Sequence, residues 1–419
     1  MKKLQSLILA AGVMALCSCD PNSLMGGGDN GGNGGNEDLE ALTIGGAMNE
    51  NATLKDRGLS IDYTIDGTLN LEGNAILTIE PGVCIAFLNS GSSIVVGENC
   101  GINWVGTEKD PIVFRGPQNN NNPGSWKWID IYSKRRDNCM EYVEIKNGGS
   151  DRTWAPVILE DNAKLAMKHC TIDGSLGNGI KACGGSAFTA FEYNTIKNAE
   201  KYAVRKNIYG MCETNFGEGN TYTGNKPNAI CLDGTYSGEG DMNLTYQGVP
   251  YVSEDGLNIE DNCNLTIAPG VTIMVNDQID INEKATISAK GTEEAPIIFC
   301  GLYDEPGAWG FIDLFSTKGA EFENVIIANS CKDNHGGAIW FNSRDVHCTM
   351  TNVVIRNSGN YGLYFSDVEL REVDNVGDEG THYECVKPEY FNATNVTFEN
   401  CKNGNVYVGG DLAFDEFPW

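Results

Sequence analysis

Basic side chains are scarce in this chain. Lysine and arginine number 29 against 57 aspartates and glutamates, a formal charge of -28 that argues against nucleic acid or anionic lipid as partners. The four histidines form no HExxH motif, and neither a nucleophile elbow nor a phosphate loop occurs. CxxC pairs are missing, which excludes a zinc knuckle. No stretch beyond the apolar N-terminal run keeps a 3.6-residue period over three turns, so helix is a minor component.

What the chain does have is an internal duplication. LTIEPGV at Leu77 to Val83 returns as LTIAPGV at Leu265 to Val271, and GTEKDPIVF at Gly106 to Phe114 returns as GTEEAPIIF at Gly291 to Phe299. WKWIDI at Trp126 to Ile131 then answers WGFIDL at Trp309 to Leu314, and MEYVEIKN at Met140 to Asn147 answers FENVIIAN at Phe322 to Asn329. The offset drifts from 188 to 182 residues, the mark of a copied scaffold with variable turns.

Between the repeats the pattern is strand. Short β-branched runs such as AILTI, VCIAF and SIVV end at Gly, Asn, Asp or Pro. Three triplets, Val143/Ile145/Asn147, Cys170/Ile172/Gly174 and Asn194/Ile196/Asn198, share one phase. The second half repeats that phase in Val325/Ile327/Asn329, Val353/Ile355/Asn357 and Val396/Phe398/Asn400. The steps from Ile145 to Ile172, Ile172 to Ile196 and Ile327 to Ile355 are 27, 24 and 28 residues, the length of one coil of a stacked solenoid. Val373 and Asn375 are expected to fill the longer gap before Phe398. The turn asparagines are expected to form a ladder of side-chain amides, a residue type that tolerates left-handed backbone. Successive inward residues then rest on one another about 4.8 Å apart.

With these elements in place, the chain resembles a right-handed parallel β-helix of the pectin-lyase-like class, and in particular the β-helical surface lipoproteins of Bacteroidota. The resemblance spans about Gly58 to Asn405 and rests on the LTI.PGV, GTE…PI.F and Trp-containing repeats and the asparagine ladder. It implies an all-β, single-stranded right-handed solenoid and is nearly silent about reaction, because the class includes lyases, hydrolases, adhesins and binding proteins.

Lys2 and Lys3 precede an apolar run, Leu7 to Leu16, that is too short to span a membrane and fits a secretory signal. Its end, Leu16, Cys17, Ser18, Cys19, resembles the bacterial lipoprotein signal, which implies a signal peptide over 1–18 and a lipid anchor on Cys19. Residues 19–41, rich in Gly, Asn and acids, read as a flexible tether. Its likeness to Bacteroidota surface leaders implies an outer-membrane anchor facing the exterior, with the periplasmic face as the alternative. Residues 42–250 are then the first half of the helix with its cap, and 251–419 the second. Of fifteen cysteines, removal of Cys17 and lipidation of Cys19 leave thirteen, expected mostly as reduced core thiols.

Exposed tryptophan is the best functional clue, since flat sugar faces pack on such rings. Trp154 and Trp340 are the first candidates for ligand binding, followed by Trp104 and Trp128; Trp126 and Trp309, being duplicated, read as packing residues. Asp130 and Asp313 are duplicated as well and read as scaffold. Asp151, Asp161, Asp173, Asp333 and Asp345 supply carboxylates for a glycosidase reading, and Lys134, Arg135 and Arg136 form the only compact basic group for a lyase. His169 and His347, each beside a cysteine, are expected at corresponding places. No catalytic residue is assigned. The leading expectation is a monomeric, lipid-anchored β-helix that binds glycan or another extracellular macromolecule without cleaving it. A polysaccharide-degrading enzyme and a structural adhesin are the alternatives. No cofactor is expected, although the acidic loops GDNGGNGGNEDLE and NVGDEG could hold a weak structural calcium ion.

Overall fold

The structure is a computed structural model that describes residues 40–237, 240–282, 284–315, 317–343, 347–373, 382–409 and 412–419. Cys19, the signal segment, nearly all of the tether, Asp345 and the NVGDEG loop with Asn375 lie outside the described residues.

The fold is the expected all-β parallel solenoid, of about 12 turns, with helix limited to two short 3-10 segments among the described residues. Alternation builds each strand: apolar residues point in and polar ones out, so each strand buries one face only by stacking on a neighbouring coil. Ile145 pairs in parallel register with Ile172, and Ile172 with Ile196. Phe114 precedes this row and Tyr222 ends it. All three isoleucines are fully buried, each contributing roughly 1.5–3 kcal/mol.

In the first half the coils have three faces. Ile76–Ile79, Gly101–Val105, Cys139–Glu141, Lys164–Lys168 and Ala187–Glu192 line the first. Cys84–Phe87, Ile112–Arg115, Val143–Gly148, Thr171–Ser175 and Thr195–Ala199 line the second. The third carries Ser93–Val96, Ile129–Ile131, Val157–Leu159, Ile180–Ala182, Val204–Asn207 and Ile230–Asp233.

One hydrophobic cluster runs without a break from Ile44 to Val408. The join between the duplicated halves is nevertheless not a simple continuation. Ile230–Asp233, on the third face, pairs with Tyr251–Ser253, which in turn pairs with Thr272–Val275. By the duplication, Thr272–Val275 is the copy of the second-face strand Cys84–Phe87, so the second half is offset by one face. Gln247 marks the step. Its Oε1 accepts from Asn220 at 3.2 Å and Tyr222 at 3.1 Å, and it ends a corner stack that runs through Asn194 and Asn220.

The corner asparagines are placed as the sequence indicates, with a different emphasis. Asn147, Asn198, Asn329, Asn357 and Asn400 all hold φ between 54° and 62°, and Gly174 holds 83° at the same corner. Left-handed backbone is thus the shared requirement. Side-chain ladders occur in the second half, where Asn400 donates to Asn357 at 3.3 Å and Asn395 to Asn352 to Asn324 at 2.8 and 3.1 Å. Asn329 instead donates to Asp304, and Asn198 to Asp173.

Val373 does not fill a coil. Ile355 pairs directly with Phe398, while Leu370–Val373 forms an antiparallel hairpin with His382–Cys385 outside the stack. At the C-terminal end, Leu412–Phe414 turns back antiparallel on Gly404–Val408, and Trp419 meets Phe365 and Phe391 edge-on at 5.4 and 5.8 Å. All thirteen described cysteines are free thiols, most of them buried.

Candidate functional site on the eight-stranded face

The second half gains a sheet of its own, composed of Thr235–Ser237, Leu257–Glu260, Ile279–Asn282, Ile312–Phe315, Gly337–Phe341, Tyr361–Phe365, Gly404–Val408 and Leu412–Phe414. Its sequence logic is a three-residue unit with two inward apolar residues around one outward residue: Ile279-Asp280-Ile281, Ile312-Asp313-Leu314, Ile339-Trp340-Phe341, Leu363-Tyr364-Phe365 and Val406-Tyr407-Val408. Parallel register lines the outward members up as Asn258, Asp280, Asp313, Trp340, Tyr364 and Tyr407. Carboxylates thus lead into a column of three aromatic rings.

The rings form a continuous surface. Trp340 meets Tyr364 edge-on at 5.3 Å, and Tyr364 stacks on Tyr407 at 4.3 Å with planes 16° apart. Tyr361 flanks Tyr407 at 4.9 Å, while Phe311 and His335 hold the other side of Trp340 at 5.1 and 4.8 Å. The Trp340 indole N–H donates to the Ser366 hydroxyl, which fixes the ring in place. Trp340, Tyr361, Tyr364 and Tyr407 are all half-buried, with part of each ring open to solvent.

Asp280 and Asp313 sit side by side in this row, and burial raises both carboxyls above their usual range. Asp313 reaches about 6, with burial as the main cause and the charge of Asp280 as the second. Its Oδ1 is enclosed and has no hydrogen-bond partner.

Of the tryptophans singled out in the sequence, Trp340 alone lies in this row. Trp104 is a correction: it is fully buried, because the alternation of Gly101–Val105 sends Ile102 and Trp104 inward and Asn103 outward, and its ring packs 4.9 Å from Phe114. Trp128 and Trp154 pair at 5.6 Å over the third face of the first half. Ammonium groups already cover them, with Lys181 3.9 Å above Trp154 and Lys127 5.2 Å from Trp128. Trp126 and Trp309 are core residues that donate to the Lys146 and Ala328 carbonyls, each at 2.8 Å.

Asp130, the duplicate of Asp313, lies on that third face. Burial, followed by the nearby Glu160 charge, lifts its carboxyl to about 7, and its Oδ1 also has no partner. Glu160 is raised in turn, mainly by burial. This acid pair suits acid–base chemistry. The other carboxylates do not converge. Asp151 accepts from Thr153 within its own turn, Asp173 pairs with Lys197 and Asn198, and Asp161 and Asp333 are exposed on separate turns. Nor does the basic group form a free patch: Lys134, Arg135 and Arg136 pair with Glu98, Asp137 and Glu213.

The two histidines are not counterparts. His169 holds φ 52° at the corner between the first and second faces and stacks between Tyr142 and Tyr193 at 4.6 and 5.0 Å. Asn352, with φ 53°, is the residue at that corner in the second half. His347 instead precedes Cys348–Arg356 and stacks on Tyr390.

Among the described residues, no group of three or more His, Cys, Asp or Glu side chains is placed to hold a metal ion. Two small, open surface depressions lie among the described residues: one of about 230 Å³ beside Tyr142, His169 and Tyr193, another of about 380 Å³ beside Asp255, Asp277 and Asp280. No curated protein matches the sequence. Residues 46–171, the first coils of the stack, match the family model described as a pectate-lyase-like β-helix domain, a fold compatible with both glycan binding and glycan degradation.

Proposed function

We propose that this protein is a lipid-anchored cell-surface β-helix that binds glycan on its eight-stranded face without cleaving it. The observation that carries the reading is the Trp340–Tyr364–Tyr407 column, three partly open rings in register on consecutive coils of a rigid scaffold. Such rings offer flat apolar area to sugar faces, and neighbouring carboxyls and amides accept and donate hydrogen bonds to hydroxyls. Among the described residues the row lies on an open sheet face, which suits binding along a polymer more than scission within it.

Attachment through Cys19 to the outer membrane, in an organism of the Bacteroidota type and facing the exterior, is supported by the Lys2/Lys3, apolar-run and Leu16-Cys17-Ser18-Cys19 order. A Cys19→Ser variant is expected to leave the membrane fraction, and surface proteolysis of whole cells is expected to degrade the wild-type protein. A glycan array on the body beginning after the tether, run beside a Trp340→Ala variant, tests the binding itself. Signals that survive the substitution unchanged would overturn the assignment of the site.

The Asp130–Glu160 pair favours a second reading, hydrolysis or lysis of a polysaccharide at the third face. Reducing-end and unsaturated-product assays on each array hit decide between the two, because turnover lost in Asp130→Asn would make the protein an enzyme.

A further inference from the structure

Building on the binding reading above, we infer that the ligand of the eight-stranded face is an uncharged, hydroxyl-rich linear glycan that lies along the solenoid axis. Charge is the first ground. None of the eight strands of this sheet contains Lys, Arg or His. The outward residues are acids, amides, a serine and aromatics: beside the row from Asn258 to Tyr407 runs a second row of Glu260, Asn282, Phe315, Asn342 and Ser366. A uronate or sulfate would find no cation on the strands themselves, with His335 flanking Trp340 from outside them, would meet Asp280, Asp313 and Glu260, and would face the negative faces of the aromatic rings. The full chain's formal charge of -28 adds to that opposition at longer range. A hydroxyl group meets the reverse situation, because every one of these carboxyl and amide oxygens is an acceptor.

Direction is the second ground. The functional residues recur once per coil, so the line of contacts follows the axis and crosses the strands. From Asn258 to Tyr407 it covers five inter-coil steps of about 4.8 Å, roughly 24 Å in all. This is a track for several consecutive sugars, with polar contacts at the Asp280 and Asp313 end and ring stacking at the Trp340, Tyr364 and Tyr407 end. The first-half tryptophan pair offers no such track. Trp128 and Trp154 are covered by Lys127 and Lys181, and Arg205 follows Lys181 in the same outward row.

Calorimetric titration of the soluble body with cello- and manno-oligosaccharides of increasing length, and with oligogalacturonates of matching length, tests this. Binding of a neutral series is expected, with affinity that climbs with each added sugar until the track is filled. Trp340→Ala and Tyr407→Ala are each expected to weaken it at least tenfold, with circular dichroism and thermal midpoint retained. Oligogalacturonate binding that is lost in Trp340→Ala would overturn the neutral assignment and leave glycan binding at this face intact. A neutral affinity that is flat from the shortest probe onward would overturn the axial track. Failure of all three series, combined with a blank glycan array, would instead remove the binding reading on which the inference rests.

Discussion

Lys206 is the register partner of Ala182 in the inward row of the third face, so a lysine stands where every other coil places an apolar residue. Its side chain is fully buried, and its ammonium donates to the Asn207 carbonyl at 2.5 Å. Burial lowers it to about 7, and the nearby Lys164 charge works in the same sense. Between that value and the ordinary 10.5 the unfolded chain holds a proton that the folded chain has lost, so stability rises with pH across this window. Lys206→Met is expected to stabilise by about 1–4 kcal/mol at and below pH 7, a gain that vanishes above 10.5. Denaturant midpoints at three pH values measure it, and a constant gain at all three would contradict the buried-charge account.

Asp130 and Asp313 have the opposite sense. Their carboxyls are raised from 3.8 to about 7 and about 6, chiefly by burial, so the folded chain keeps protons that the unfolded chain gives up. Their stabilising contribution is complete below 3.8 and is lost as pH rises through 6 and 7. Asp130→Asn and Asp313→Asn are each expected to raise the thermal midpoint at pH 8 by on the order of 2–4 °C, and to change it little at pH 3. Equal shifts at both pH values would show that the carboxylate charge is not the cause.

The stack itself is most exposed to damage at its middle. Ile172 is fully buried between Ile145 and Ile196, and Ile172→Ala is expected to cost about 2–5 kcal/mol in chemical unfolding. Asn103→Ala, at an exposed position on the first face, serves as control, with a change within about 0.5 kcal/mol.

Trp309→Phe tests the duplicated tryptophan. The change keeps most of the ring and removes the indole donor to the Ala328 carbonyl, leaving a buried acceptor unpaired at a cost of about 1–3 kcal/mol. Trp126→Phe is expected to cost the same at the Lys146 carbonyl. A loss in one half only would mean that the two indoles do not share a role.

Much of this architecture is legible in the residues. Ile145, Ile172 and Ile196 announce the coil because a solenoid demands the same inward residue at nearly constant spacing, and no insertion interrupts them. Phe398 is harder to place. The hairpin between Leu370 and Cys385 lengthens one coil, and Val373 imitates a missing rung although it pairs outside the stack. Trp104 misleads because tryptophan is common on binding surfaces, yet the alternation Ile102, Asn103, Trp104 already points the indole inward. Tyr364 and Tyr407 escape a search for tryptophan. Their signal is the repeated unit IWF, LYF, VYV, with central residues 24 and 43 residues apart, and the second interval is stretched by that same hairpin. The offset between the halves has no local signature, since it depends on which strand Tyr251–Ser253 chooses as its neighbour.

That offset has a geometric consequence. Asp130 and Asp313 descend from one ancestral position, but the displaced join turns them toward different sides of the column. The outward carboxyl of the N-terminal copy, on the third face, and that of the C-terminal copy, on the eight-stranded sheet, therefore belong to different sheets of the stack. A single molecule thus presents the two copies of this element in two separate directions.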